Sequence, residues 1–159
     1  MSEWHIVVGD VTTRIAADAF VLDAPIGAVG LASATLLGDP PRPEELTNAI
    51  GAMIDHLDDV VRERPDAIGA DVRLSGADVL AIAAVEVGHE ASLPIELTRD
   101  AVEDVFRTLA TERSADRRHN PGLPADRVQS VVGASCIVVA IMRRLHLDTI
   151  TITSAVVSA

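Results

Sequence analysis

The sequence predicts a single α/β domain built on a mixed sheet covered by helices. Three observations lead there. Three strand-like runs follow one another before residue 32, as in an antiparallel meander. Beyond the proline-rich break at 38–43, helically spaced segments alternate with short β-branched runs. Finally, a length of 159 residues with 48% apolar side chains supports one sizeable core, so residues 1–159 read as one domain.

The elements follow in order. His5–Gly9 is an apolar β-run, and Thr12–Leu22 alternates well enough for a second strand. Pro25–Leu31 reads as a third. Gly38-Asp39-Pro40-Pro41-Arg42-Pro43 breaks the chain. Pro43 suits the first helical position, and Glu44 and Glu45 suit the positive end of the helix dipole. Leu46, Ile50, Met53, Ile54, Leu57 and Val61 then recur at helical spacing until Pro65. Asp71–Leu74 is a short strand, and Ser75-Gly76 turns it directly into a helix over Asp78–Val87, with Gly88 as C-cap. Thr98 and Asp100 open a third helix that carries Val102, Val105, Phe106 and Leu109 on one face. A loop over Ser114–Pro124 precedes a fourth, apolar helix at about Asp126–Leu145, ending on Arg143, Arg144 and His146. The last strand is Asp148–Ser154. The predicted order is β-β-β-α-β-α-α-α-β.

Composition narrows the chemistry. All 13 basic residues are Arg, which excludes Schiff-base and P-loop lysines. A formal net charge of −11 opposes nucleic acid and anionic membranes as partners, while leaving room for a local arginine pocket. The one cysteine, Cys136, lies in the apolar helix and reads as a buried small hydrophobe. The N-terminus has no signal-peptide pattern, and the apolar run Val131–Met142 is shorter than the roughly 20 residues a bilayer needs, so a cytoplasmic protein is expected. No H-E-x-x-H and no G-x-S-x-G is present. The acidic face Asp55, Asp58, Asp59 with His56 lacks metal-ligand spacing and reads as solvated. The cluster Arg113, Arg117, Arg118, His119 likewise reads as a solvated loop.

Two places suit an anion. Ser75-Gly76, passing from strand to helix, would offer free N–H groups, although Asp78 in the first turn opposes phosphate and leaves an ordinary βα turn as the rival reading. Arg127 follows the rigid turn Pro121-Gly122-Leu123-Pro124; it either grips a ligand bidentately, or pairs with Asp126 or is solvated. Ser75, Gly76 and Arg127 are therefore the candidate phosphate-binding residues. No catalytic residue and no metal ligand is assigned.

The same motifs resemble the second lobe of the exopolyphosphatase / guanosine pentaphosphate phosphohydrolase (Ppx/GppA) family. Glu3–Gly9 is similar to the strand after its Gly-Gly-Gly-Ser-Thr-Glu phosphate loop, and Pro25-Ile26-Gly27-Ala28-Val29-Gly30-Leu31 to its next conserved strand. Asp39-Pro40-Pro41, the stretch Ser75–Ala84, and Pro121-Gly122-Leu123 through Arg127 with Thr151-Ile152-Thr153-Ser154 resemble later family motifs. The resemblance implies a ribonuclease H-like (actin-like) lobe, polyphosphate or guanosine pentaphosphate as ligands, and Mg2+ as the family's metal. The sequence departs from the family in lacking the first lobe with its catalytic glutamate, and in lacking the Gly-rich loop, of which only Ser2-Glu3 could be the tail. It also ends Ser154-Ala155-Val156-Val157-Ser158-Ala159 in place of the family's terminal motif. The expectation is a truncated or degenerate phosphohydrolase lobe, inactive alone. The alternatives are a homodimer or partner-lobe interaction module, and a guanosine tetra- or pentaphosphate sensor.

Overall fold

A computed structural model describes residues 2–154; the chain end at 155–159, part of the divergent terminus noted above, lies outside the described residues. Six strands form one sheet in the order β3-β2-β1-β4-β6-β5. Strand β1 (Glu3–Val8) pairs antiparallel with β2 (Thr13–Ala17) and parallel with β4 (Asp71–Ser75). Strand β6 (Thr149–Ile152) continues the parallel set beside β4, and β5 (Ile95–Thr98) closes the edge antiparallel to β6. The inward residues Trp4, Ile6 and Val8 alternate along β1, as a half-buried strand requires.

Helix α6 (Ser130–Arg144) is the hub. Every residue from Ser130 to Met142 is buried, and α1 (Ala28–Ala34), α2 (Pro43–Glu63), α3 (Ala77–Val87) and α4 (Arg99–Thr111) all pack on it. Gly133 makes the closest crossing, since a Cβ there would stand 2.2 Å from the carbonyl oxygen of Ala28. Helix α2 starts at Pro43 as its capping signals predict: the Glu45 carboxylate accepts from the N–H groups of Arg42, Gly38 and Leu37 at 2.7, 3.0 and 3.1 Å. Thr98 caps α4, accepting from Ala101 N at 3.1 Å. Gly88 ends α3 with φ +82°, the left-handed C-cap expected of it.

Several predicted elements need correction. The second run, Thr12–Leu22, is two strands: a turn at Asp18-Ala19, with Asp18 at φ +54°, folds β2 back into β3 (Phe20–Ala24). The predicted third strand, Pro25–Leu31, instead runs into helix α1, because Gly9 O accepts from Ala28 N and Asp10 O from Val29 N and Gly30 N, satisfying donors at the helix start. Strand β5 was absent from the prediction. The loop Ser114–Pro124 contains one helical turn, α5 (Ser114–Arg117). The last long helix begins at Ser130, not Asp126, after a separate 3-10 turn over Ala125–Arg127.

Arg117 is also unlike its prediction as a solvated loop residue. It is 2% exposed and donates to three main-chain carbonyls, Leu109 O at 2.9 Å, Glu112 O at 2.7 Å and Val128 O at 2.9 Å. Burial lowers its pKa, offset in part by Asp39 and Glu112.

Candidate functional site

The parallel pair β1 and β4 brings two chain turns to one end of the sheet. Val7 pairs with Ser75, so the turn Gly9–Thr12 after β1 and the Gly76 turn after β4 emerge side by side, at the carboxyl ends of their strands. Gly76 adopts φ +128°, ψ 152°, a conformation essentially reserved for glycine, and a Cβ there would meet Val8 O at 2.2 Å. The backbone of α3 thus starts hard against the end of β1. Ser75 is 1% exposed, and its buried Oγ has no hydrogen-bond partner among the described residues.

Asp78 sits in the first turn of α3 at 2% exposure. Ser130 Oγ, at the start of α6, donates to Asp78 Oδ1 at 2.6 Å. Arg127 Nη1 faces Asp78 Oδ2 at 3.3 Å and Asp10 Oδ1, from the β1–β2 turn, at 3.4 Å. Arg127 Nε lies 3.7 Å from Asp126. The pKa of Asp78 is raised: desolvation outweighs the lowering by Ser130 and Arg127, and the Asp10 charge adds to the rise. Beside this cluster runs an open groove of about 430 Å3, walled by Ala77, Leu80, Ala81 and Ala84 of α3 and by Leu93 and Pro124, with Arg127 at its margin.

The structure therefore gathers Ser75, Gly76 and Arg127 at one end of the sheet, but puts a carboxylate between the helix start and the arginine. Asp126, the partner foreseen for Arg127, is farther from it than Asp78 and Asp10. Asp10 had no sequence signal beyond its place just after an apolar run. Ser2-Glu3, expected as the remnant of a phosphate loop, lies at the opposite end of β1: Glu3 pairs with Asp71, the first residue of β4. Five residues of strand, roughly 16 Å, separate it from the site. The turn that does face Gly76 is Gly9-Asp10-Val11-Thr12.

Among the described residues no three metal-ligating side chains come together; the two carboxylates that would hold a Mg2+ beside a bound phosphate, Asp10 and Asp78, both face Arg127. Of the acidic face on α2, Asp58 pairs with Arg144 at 2.6 Å and Asp59 with Arg62 at 2.8 Å. Among the described residues no helix is long and apolar enough to cross a membrane.

No protein-family model and no curated protein matches this chain. Solved structures do match. An exopolyphosphatase-like protein superposes with a TM-score of 0.88 at 16% identity, over 97% of this chain and 55% of its own. The Ppx/GppA phosphatase of Aquifex aeolicus, in its type II variant, gives 0.83 at 17% identity over 96% of this chain and 53% of its own. An exopolyphosphatase of Cytophaga hutchinsonii gives 0.77 at 15% identity, over 96% and 53%. The class follows: a mixed six-stranded α/β sheet flanked by helices, the fold of one ribonuclease H-like, actin-like lobe. More particularly, it is the fold of about half of a Ppx/GppA phosphatase, for the chain spans about half the length of the structures it matches.

Proposed function

We propose that this chain is a degenerate Ppx/GppA-like domain, the counterpart of the second lobe of those phosphatases, with no phosphoanhydride hydrolase activity of its own. The observation that carries this reading is the Asp78–Arg127 contact. Hydrolysis of polyphosphate or guanosine pentaphosphate needs positive charge held open for the transferred phosphate and a carboxylate free to activate water. Here Arg127, at the carboxyl ends of the strands, faces two carboxylates of its own chain. The test is phosphate release by the purified chain from inorganic polyphosphate and from guanosine pentaphosphate with Mg2+. The expected rate is that of the blank; turnover that disappears in Arg127→Ala would overturn the reading.

One observation favours an additional role as an interaction module. Val11 and Val29 are 66% and 40% exposed and flank Asp10, Val29 N donating to Asp10 O. An apolar rim beside the site fits a face covered by a second copy or by a partner lobe. Sedimentation at micromolar concentration should show a dimer, and a clean monomer of wild type that stays a monomer with a separately expressed first lobe of a Ppx/GppA phosphatase excludes it.

A further inference from the structure

The Asp78–Arg127 contact has the geometry of a substitute, not of an optimised ion pair. Arginine normally offers a carboxylate or phosphate two parallel N–H groups. Here Nη1 alone serves Asp78 and Asp10, at 3.3 and 3.4 Å, both beyond the usual N–H···O range. Nη2 makes no hydrogen bond among the described residues. The Asp78 carboxylate is firmly held on one side only, by Ser130 Oγ at 2.6 Å. It occupies the first turn of an eleven-residue helix, where backbone N–H groups without intrahelical partners attract negative charge. A second orphan lies next door: the Ser75 hydroxyl, 1% exposed and unpartnered.

We propose that Asp78 is an internal stand-in for an oxyanion, and that removing its charge opens a binding site for a tetrahedral oxyanion formed by Arg127, Ser130 and the first turn of α3. The inference rests on the reading of the site given above and adds how that site is closed and what reopens it. With Asp78 charged, an incoming phosphate meets a buried like charge that it cannot displace, because the carboxylate is tethered through the backbone of α3. With Asp78 neutral, the fork of Arg127 turns to the ligand, and Ser130 and the helix start supply neutral donors. The charged groups facing Asp78 are Arg127 from the 3-10 turn and Asp10 from the β1–β2 turn, with Asp126 reaching it through Arg127. Asp10 is 63% exposed, so water screens it and it can swing aside. Protonation is the natural means of neutralising Asp78, since burial already favours its neutral form. The device is thus an anion site that a fall in pH unlocks.

The experiment uses the full chain. Calorimetric titration with inorganic tripolyphosphate at pH 7.5 compares wild type, Asp78→Asn and the double variant Asp78→Asn/Arg127→Ala. Removing a like charge within contact distance should tighten binding at least about tenfold in Asp78→Asn, and the double variant should lose the gain. Sulfate, whose charge is constant from pH 7.5 to 5, supplies the second arm, followed by backbone amide shifts of Gly76 and Ala77. Its affinity for wild type should rise as pH falls, and for Asp78→Asn it should stay flat. Equal tripolyphosphate affinity in wild type and Asp78→Asn overturns the proposal, as does a sulfate pH profile that the substitution leaves unchanged. The wild-type sulfate arm needs no variant to fold: carried down in pH to the onset of acid unfolding, a profile that stays flat throughout also refutes. Phosphate release by wild type would sink the inactive-domain reading and leave this comparison intact, so the two failures are separable.

Discussion

Arg117 offers the sharpest test of what holds the site in place. It caps α4 from below: Leu109 O belongs to the last four residues of the helix, whose carbonyls have no partner further along it, and Glu112 O is the C-cap carbonyl itself. The third bond, to Val128 O, ties that helix end to the segment between Arg127 and α6. Arg117→Ala removes three charge-assisted bonds and leaves a cavity with three carbonyls that only entering water can satisfy. A charged hydrogen bond contributes about 1.5–3 kcal/mol, and an abandoned buried acceptor costs about 1–3 kcal/mol. These overlap, since they describe the same bonds, and partial rehydration recovers some of the loss. The Arg117 cation at the negative, C-terminal end of the α4 dipole adds up to about 1 kcal/mol. The expected loss is therefore about 3–5 kcal/mol, a fall in Tm of about 10 °C for a chain of this size. Arg117→Lys keeps the charge, but one ammonium cannot meet three divergent carbonyls, and about half the loss should remain. Urea denaturation followed by circular dichroism is the assay, with the midpoint falling at constant m. A loss below about 1 kcal/mol for Arg117→Ala would refute the claim that this arginine is structural.

Further predictions concern the backbone, Asp78 and the thiol. Gly76→Ala and Gly133→Ala each drive a methyl to 2.2 Å from a carbonyl oxygen; each should cost about 3 kcal/mol or more, the first with added strain from its positive φ, and near-wild-type urea midpoints would contradict the packing. Asp78 has its folded-state pKa raised by burial. Its contribution to stability is therefore complete below the unfolded carboxylate value of about 3.9 and is lost as pH rises through the folded value. Asp78→Asn should accordingly raise Tm at pH 7.5 and leave it nearly unchanged near pH 3.5, and a variant less stable than wild type at pH 7.5 alone would reverse that sign. Burial pushes the Cys136 thiol up to about 12, so the native protein should resist a thiol-disulfide dye at pH 8 and react at once in denaturant; fast native labelling would show that α6 opens.

What the sequence disclosed depended on whether an element is specified by its own residues. Helix α2 carries Pro43, Glu45 and a regular apolar face within one segment, and its start was read correctly. Gly88 and Thr98 act on neighbours a few residues away and were equally legible. Helix α1 was not, because the groups that satisfy its first N–H groups are carbonyls of Gly9 and Asp10, in the turn after β1 and distant in sequence. Strand β5 is four residues long and exists as a strand through its ladder with β6. Arg117 resembled its neighbours Arg113 and Arg118 in sequence; only the meeting of the α4 end with the segment before α6 gives it three carbonyls to serve. The site was half legible for the same reason. Ser75-Gly76 and Arg127 were found from local turns, whereas Asp10 comes to Arg127 across 117 positions of sequence.

That long-range contact changes what the acidity of the chain means beside Arg127. A net charge of −11 spread over a surface is screened within about 8–10 Å at physiological salt and says little about any single pocket. Asp78 is different because it is buried and Arg127 is only 24% exposed, so their interaction escapes most of that screening. At the carboxyl ends of β1 and β4 the carboxylate of Asp78, in the first turn of α3, stands where the proposed anion would bind. On the proposal above, Asp78 would keep phosphate out while charged, and the closure would be reversible by a single proton.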